Sequence, residues 1–379
     1  MPQFAELLAR GSYACCPTKL AGHFYFRQYL EARSSDKRKQ ASVKRRRGIV
    51  KISAPTLFFR STALAALVLL ALCLAQLHAE QTASAPAETV AIRTVRDETG
   101  RSVRIPVPVR RIVSLAPSMT ESIYALGMDN LLVGDTDYCD YPPAAMTKHK
   151  VGGAINPSLE EIAALKPDVV LLTKGLNRLE TVQSLERLGI AAYATDPHTI
   201  DEIRSSVRRL AGILGSPAAG DALDNKLLQQ ETNLQQSLKN VPLTRVLFVV
   251  WTEPLISVGK HTFIADALLH AGATSIVESA QDWPQMSLEE MVRLQPEVLV
   301  FASRHSEAVT RDMEALAKRP GWSELNAVKQ RKFAVVSDAV NRPAPRLLSA
   351  VEDLARQLHP EAFAGKVVNY RAAALRDNN

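Results

Sequence analysis

Two stretches, "SLEEIAALKPDVVLL" from Ser158 to Leu172 and "SLEEMVRLQPEVLVF" from Ser287 to Phe301, write nearly the same fifteen residues twice in one chain. Each starts with a Ser whose hydroxyl can cap a helix, places Glu two and three residues later, and ends in Pro, an acid and an apolar run. This is the grammar of a helix feeding a buried strand. Its repetition predicts two equivalent helix-strand units in two related lobes.

The rest of the chain fits that reading. "RIVSLA", "LLVGDT", "VVLLTK" and "AAYATD" are short β-rich runs alternating with helical stretches, and "RVLFVV", "SIVE", "VLVFAS" and "FAVVSD" repeat the alternation later. Between them, residues 218–241 contain no β-rich run, and Leu223, Leu227, Leu234 and Leu238 recur at helical spacing. One helix of roughly 22 residues, about 33 Å long, is predicted there. Ahead of the first lobe, "TVAIRTVRDETGRSVRIPVPVRRIV" alternates around "DETG" as a hairpin at an edge. In "PSMTESIYALG", Ser118 and Glu121 stand in capping-box spacing and Gly127 is placed to end the helix. The fold class is α/β: two Rossmann-like lobes with mostly parallel sheets joined by one long backbone helix. The segments are a leader (1–79), a hairpin (80–110), an N-terminal lobe (111–216), the linking helix (217–242), a C-terminal lobe (243–365) and a tail (366–379).

Charge separates the leader from the body. Residues 1–79 hold 13 Lys or Arg against 3 Asp or Glu, leaving 33 against 36 and a net charge of −3 downstream. The basic "KRRR" at Lys44 to Arg47 precedes the uncharged run "STALAALVLLALCLAQL" (61–77) and small-residue cleavage positions at Ala79 and Ala85, which reads as a secretory signal peptide. No nucleic-acid partner is expected, since the cluster belongs to the leader. A membrane anchor would need about 20 apolar residues. Lipid attachment at Cys73 is the weaker alternative, because Leu72 before it fits a lipid box poorly. The start is unusual, and Val50 begins a conventional signal sequence. The exported product keeps only Cys139 of four cysteines, so neither an internal disulfide nor a Cys-type zinc site is available to it.

No GxGxxG, GxxxxGK[ST], GxSxG or HExxH motif occurs, and the eight histidines do not cluster at ligand spacing. No catalytic residue, resident cofactor or metal is nominated, and an α/β enzyme is the lesser alternative. A pure protein-docking module is the other rival. Aromatic and polar residues do gather in loops after strands, where open α/β sheets bind ligands. Tyr138 and Tyr141 lie in "DTDYCDYPP", Trp251 in "VVWTEP", Trp283 in "QDWPQ", and Asp338 and Arg342 in "SDAVNRPAPR". Rings can stack on a flat or apolar ligand, and the last two can add hydrogen bonds.

From about Val95 to Phe363 the chain resembles the solute-binding proteins of cobalamin and iron-complex ABC importers, most closely the cobalamin-binding members. The resemblance rests on "RIVSLAPSMTE", "DYCDYPP", "SLEEIAALKPDVVLL", "WPQMSLEE" and "SDAVNRPAPR". It implies a helical-backbone periplasmic binding protein that captures a bulky ligand between its lobes, acts as a monomer in the periplasm and delivers the ligand to a two-fold symmetric permease. Glu160 and Glu289 match the acids that dock on permease arginines. Tyr141, Trp283, Asp338 and Arg342 match positions lining the cobalamin cleft. Two tryptophans of cobalamin binders appear here as Ala154 and Thr173, for which Trp251 partly compensates. The expected ligand is a cobalamin-type corrinoid; haem, with Tyr138, Tyr141 or His149 as axial ligand, or a ferric siderophore is the alternative.

Overall fold

The computed structural model describes residues 91–302 and 314–364. The expected leader, with the expected signal peptide and Cys73, and the expected tail from 366 lie outside the described residues. The first described unit is an antiparallel hairpin, β1 (Ala91–Arg96) and β2 (Ser102–Val107). It forms its own two-stranded sheet rather than an edge of a larger one. Val103 and Ile105 bury its inner face in the core of the first lobe. Arg93 fastens it by donating to the carbonyls of Gly212 and Ile213.

The first lobe runs β3 (Ile112–Ser114), α1 (Pro117–Ala125), β4 (Leu132–Gly134), α2 (Leu159–Ala164), β5 (Val169–Thr173), α3 (Leu179–Arg187), β6 (Ala192–Thr195) and α4 (Ile200–Ile213). The spine α5 (Pro217–Leu238) follows, with the expected 22 residues. The second lobe contains β7 (Thr244–Val249), β8 (Trp251–Thr252), β9 (Leu255–Ile256), α6 (Phe263–His270), β10 (Ala273–Ser275), α7 (Leu288–Leu294), β11 (Val298–Ala302), α8 (Asn326–Lys329), β12 (Phe333–Val336) and α9 (Leu347–Leu358). The strand expected in "SIVE" stops at Ser275, and Ile276 and Val277 turn into the core instead. Among the described residues no helix is long and apolar enough to cross a membrane.

The two main sheets are parallel and identically wound. Their orders are β4-β3-β5-β6 and β10-β7-β11-β12, so each lobe places its second strand outside its first and then adds the third and fourth. The strands read as unbroken apolar runs because both faces are covered. In β5, Val169 and Leu171 enter one core and Val170 and Leu172 the other. In β7, Val246 and Phe248 face one side, and Leu247 and Val249 the opposite side. Fully burying such a side chain is worth about 1.5–3 kcal/mol, so the two-sided pattern fixes each strand's register.

The repeated sequence is repeated structure. Ser158 and Ser287 each accept the backbone N–H three residues on, at 3.2 and 3.0 Å, and so cap α2 and α7. Each helix ends in a left-handed residue before proline, Lys166 (φ 46°) and Gln295 (φ 45°). The acid after the proline then clips the neighbouring strand. Asp168 accepts the amides of Arg110 and Arg111 at 2.7 and 2.8 Å, and Glu297 accepts that of Arg245 at 3.3 Å. The same two arginines return a bond to the helix ends, Arg111 to Leu165 O and Arg245 to Leu294 O.

At the join, Leu227, Leu234 and Leu238 of α5 pack in the core of the second lobe. Helix α4 lies beside the spine and shares both cores: Val207, Leu210 and Ala211 fill the first, Ile200 and Ile203 the second. Arg204 binds Asp224 and Glu231 of α5, and Glu231 also meets His270 of α6 at 3.0 Å. The Ile200 amide donates to Asp266 of α6 at 2.8 Å.

Candidate functional site

Every nominated ligand residue lies past the C-terminal end of a parallel strand or on a loop paired to such an end, the edge at which open α/β sheets present loops to ligands. Tyr138 and Tyr141 follow β4, Trp251 follows β7, and Asp338 and Arg342 follow β12. Trp283 reaches this edge by backbone pairing. Ser257 and Gly259 donate to the carbonyls of Pro284 and Asp282, and Met286 donates to that of Leu255. A Cβ on Gly259 would stand 1.8 Å from the Gln281 carbonyl oxygen, so only glycine lets the strands approach this closely. The β8–β9 ribbon therefore holds Trp251 and the Trp283 loop in one layer. Both rings are half-buried; Trp251 donates its indole N–H to Glu253 O, and Trp283 packs against the second lobe's core.

The centre of the edge is an ion cluster spanning both lobes. Helix α1 begins at Pro117, its N-cap is Ala116, and no side chain caps it, which corrects the capping-box expectation for Ser118 and Glu121. Pro117 in the first turn starts the helix ahead of the pattern, so both residues are buried inside the helix. The end is as expected: Gly127 takes φ +69° and donates to Tyr124 O, and Met128 donates to Ile123 O.

Glu121 then reaches across to the second lobe. Its Oε1 accepts Arg342 Nη1 at 2.6 Å and Arg346 Nη2 at 2.9 Å, and its Oε2 accepts Arg346 Nε at 2.9 Å. Arg342 Nη2 donates to Asp140 at 2.9 Å and Asp338 at 3.3 Å. The Arg346 guanidinium also lies over the Tyr141 ring, 4.0 Å from its centre. The side chains of Glu121 and Arg342 are each only 2% exposed, so each charge depends on the opposite charges packed around it. Removing one member of a buried pair costs about 3–5 kcal/mol. Burial works against the Arg342 charge, but Glu121, Asp140 and Asp338 outweigh it and its pKa rises.

The structure thus joins Tyr141, Asp338 and Arg342 in one cluster and adds Glu121, Asp140 and Arg346, none of them nominated as a site residue from sequence. In this arrangement Arg342 is turned to protein carboxylates. Tyr141 remains 42% exposed at the cluster's rim, while Tyr138 is half-buried with its ring edge towards Gly153. Below this loop, Lys150 Nζ donates to Asp135, to Cys139 O and to Ala145 O, tying both ends of the turn together.

Ala154 and Thr173, the positions without tryptophan, are buried. Asn177 joins them, donating to Ala154 O and Leu115 O and accepting from the Thr173 amide. His149 is bonded to Glu161 at 2.9 Å rather than gathered into the cluster. Glu160 and Glu289 stand apart from it, one per lobe, exposed in the first turns of α2 and α7.

A family model described as "Periplasmic binding protein" matches residues 112–339, from the first residue of β3 to just past β12. The vitamin B12-binding protein of Vibrio cholerae serotype O1 (strain M66-2) is 31% identical over 260 residues, covering 67% of this chain and 90% of that relative. The solved structure of the periplasmic vitamin B12 binding protein BtuF of Vibrio cholerae superposes with a TM-score of 0.60 at 29% identity, covering 67% of this chain and 98% of that one. The periplasmic heme-binding protein RhuT from Roseiflexus sp. RS-1 superposes with a TM-score of 0.59 at 25% identity, covering 67% and 99%. Both share the two-lobed, helical-backbone fold, and members of the matched family are binding proteins of ABC importers rather than enzymes. With both sheets and the helix between them inside the matched span, this chain belongs to the periplasmic binding protein family.

Proposed function

We propose that the protein captures a cobalamin-type corrinoid between its lobes in the periplasm, as a monomer, and delivers it to a two-fold symmetric ABC permease. The observation that carries this is the ion cluster joining the lobes at the strand ends, where Glu121, Asp140 and Tyr141 of the first lobe meet Arg342 and Arg346 of the second, with Tyr138, Trp251 and Trp283 on loops along the same edge. Rings supply stacking area for a large macrocycle, and the polar groups suit its amide-rich rim. The 31% identical relative named for vitamin B12 binding supports the same ligand class. The spine allows small closure, since a continuous helix absorbs little of the backbone rotation that wide hinge motion needs. Glu160 and Glu289 are the docking acids in this reading. Their equivalent places in a duplicated fold suit a partner that presents the same surface twice.

Haem is the second reading, favoured by the exposed Tyr141 as an axial ligand. Titration of the chain from Glu80 onward with cyanocobalamin, haemin and a ferric siderophore, followed by tryptophan quenching, separates the ligands. Saturable one-to-one quenching by cyanocobalamin at micromolar concentration or below is expected. Saturation by haemin or the siderophore alone would replace the corrinoid, and a chemical change in any of the three would sink pure transport.

A further inference from the structure

We propose that Glu121 sets the charge preference of the cleft, by occupying both cleft arginines and so turning away ligands that carry carboxylates of their own. The inference rests on the capture reading above and names a residue that decides between its ligand classes. Among the described residues, Arg342 and Arg346 face Glu121, Asp140 and Asp338. Glu121 makes three of the bonds, including a two-pronged one to Arg346, the geometry in which a guanidinium best recognises a carboxylate. A ligand carboxylate seeking these arginines meets a site already filled by its own chemistry, from the opposite lobe. Haem carries two carboxylates and is disfavoured by this arrangement. A corrinoid rimmed with neutral amides is not.

The test follows the cluster's charge. Purified wild-type protein, Glu121→Gln, Arg346→Gln and the double variant are titrated with haemin, protoporphyrin IX and cyanocobalamin, after thermal unfolding has shown which are folded. Relative to wild type, the formal charge of the cluster changes by +1 in Glu121→Gln, by −1 in Arg346→Gln and by 0 in the double variant. One unit of charge at such range in a partly screened site changes affinity by about tenfold or more. Glu121→Gln is expected to gain that factor for both porphyrins, Arg346→Gln to lose it, and the double variant to return to wild type. Protoporphyrin lacks iron, so a gain shared by both porphyrins comes from their carboxylates and not from Tyr141 as an axial ligand.

No porphyrin gain in a folded Glu121→Gln protein, or a gain that persists in the double variant, overturns the role given to Glu121. Where Glu121→Gln does not fold, weaker porphyrin binding by Arg346→Gln than by the double variant supports that role, and equal binding overturns it. Porphyrin affinities that follow the charge order while wild type ignores cyanocobalamin overturn the corrinoid reading alone. Tight cyanocobalamin binding without that order overturns only the inference about Glu121.

Discussion

Asp135 lies beneath the loop that carries Tyr138, Asp140 and Tyr141, with no solvent exposure. Its Oδ1 accepts Lys150 at 2.7 Å, while its Oδ2 is buried with no hydrogen-bond partner. Burial, only partly opposed by Lys150, pushes its pKa from 3.8 up to about 6. The folded state therefore holds this proton more tightly than the unfolded chain does. The stability it contributes is complete below about pH 4 and is lost as pH rises through about 6. Replacing Asp135 by Asn is expected to flatten the pH dependence of stability by on the order of 1–2 kcal/mol across that window, measured by urea unfolding at a series of pH values. Cys139, in the same turn, is buried, and its thiol is pushed up to about 11 by burial and by the charge of Asp135. It is expected to resist a thiol reagent at pH 8 until the protein is unfolded; rapid labelling of native protein would contradict the packing. Tyr141, Asp338 and Arg342 were legible because they fall in recognisable runs of sequence. Glu121 was not, because its partner lies 221 residues away and its local spacing mimics a helix cap. Arg346 sits in a run that was singled out, but nothing in sequence marks it as the second prong on the same carboxylate.

At the scale of elements, the repeat was legible because capping, the proline and two-sided burial are local rules that act within a few residues. The clamp from the acid after the proline to the next strand was not, since Asp168 and Arg111 are 57 residues apart in sequence. The two copies of that clamp are unequal. Asp168 takes two short amide bonds through one oxygen, and Glu297 takes a single longer one. Bonds to a charged acceptor contribute about 1.5–3 kcal/mol when buried, and less where, as here, the surroundings are exposed. Asp168→Asn is therefore expected to cost about 1–2 kcal/mol and Glu297→Gln less than about 1, measured by urea unfolding. Equal losses would show that the clamps do not carry the difference. Ser158→Ala and Ser287→Ala are each expected to cost about 1 kcal/mol, because both hydroxyls cap in the same way.

Across the whole molecule, the duplicated winding places the two capped helices in equivalent positions, and with them Glu160 and Glu289. Their location alone does not make them docking acids, since a carboxylate in a helix's first turn is favoured by the helix dipole by about 0.3–1 kcal/mol wherever it occurs. The two roles part under charge reversal. Loss of a dipole contact weakens the lobe slightly and leaves a partner indifferent, whereas a cationic partner surface turns from attraction to repulsion and slows association steeply at low salt. Because the acids stand outside the ion cluster that joins the lobes, Glu160→Lys with Glu289→Lys is expected to keep cyanocobalamin quenching and lose stimulation of permease ATPase activity. Each single reversal should fall between, with the deficit shrinking as ionic strength rises. A double variant that still stimulates the permease would remove these acids from docking. One that loses ligand and permease together would assign them to holding up the lobes, and the duplicated Ser-Leu-Glu-Glu turns would then be a folding device alone.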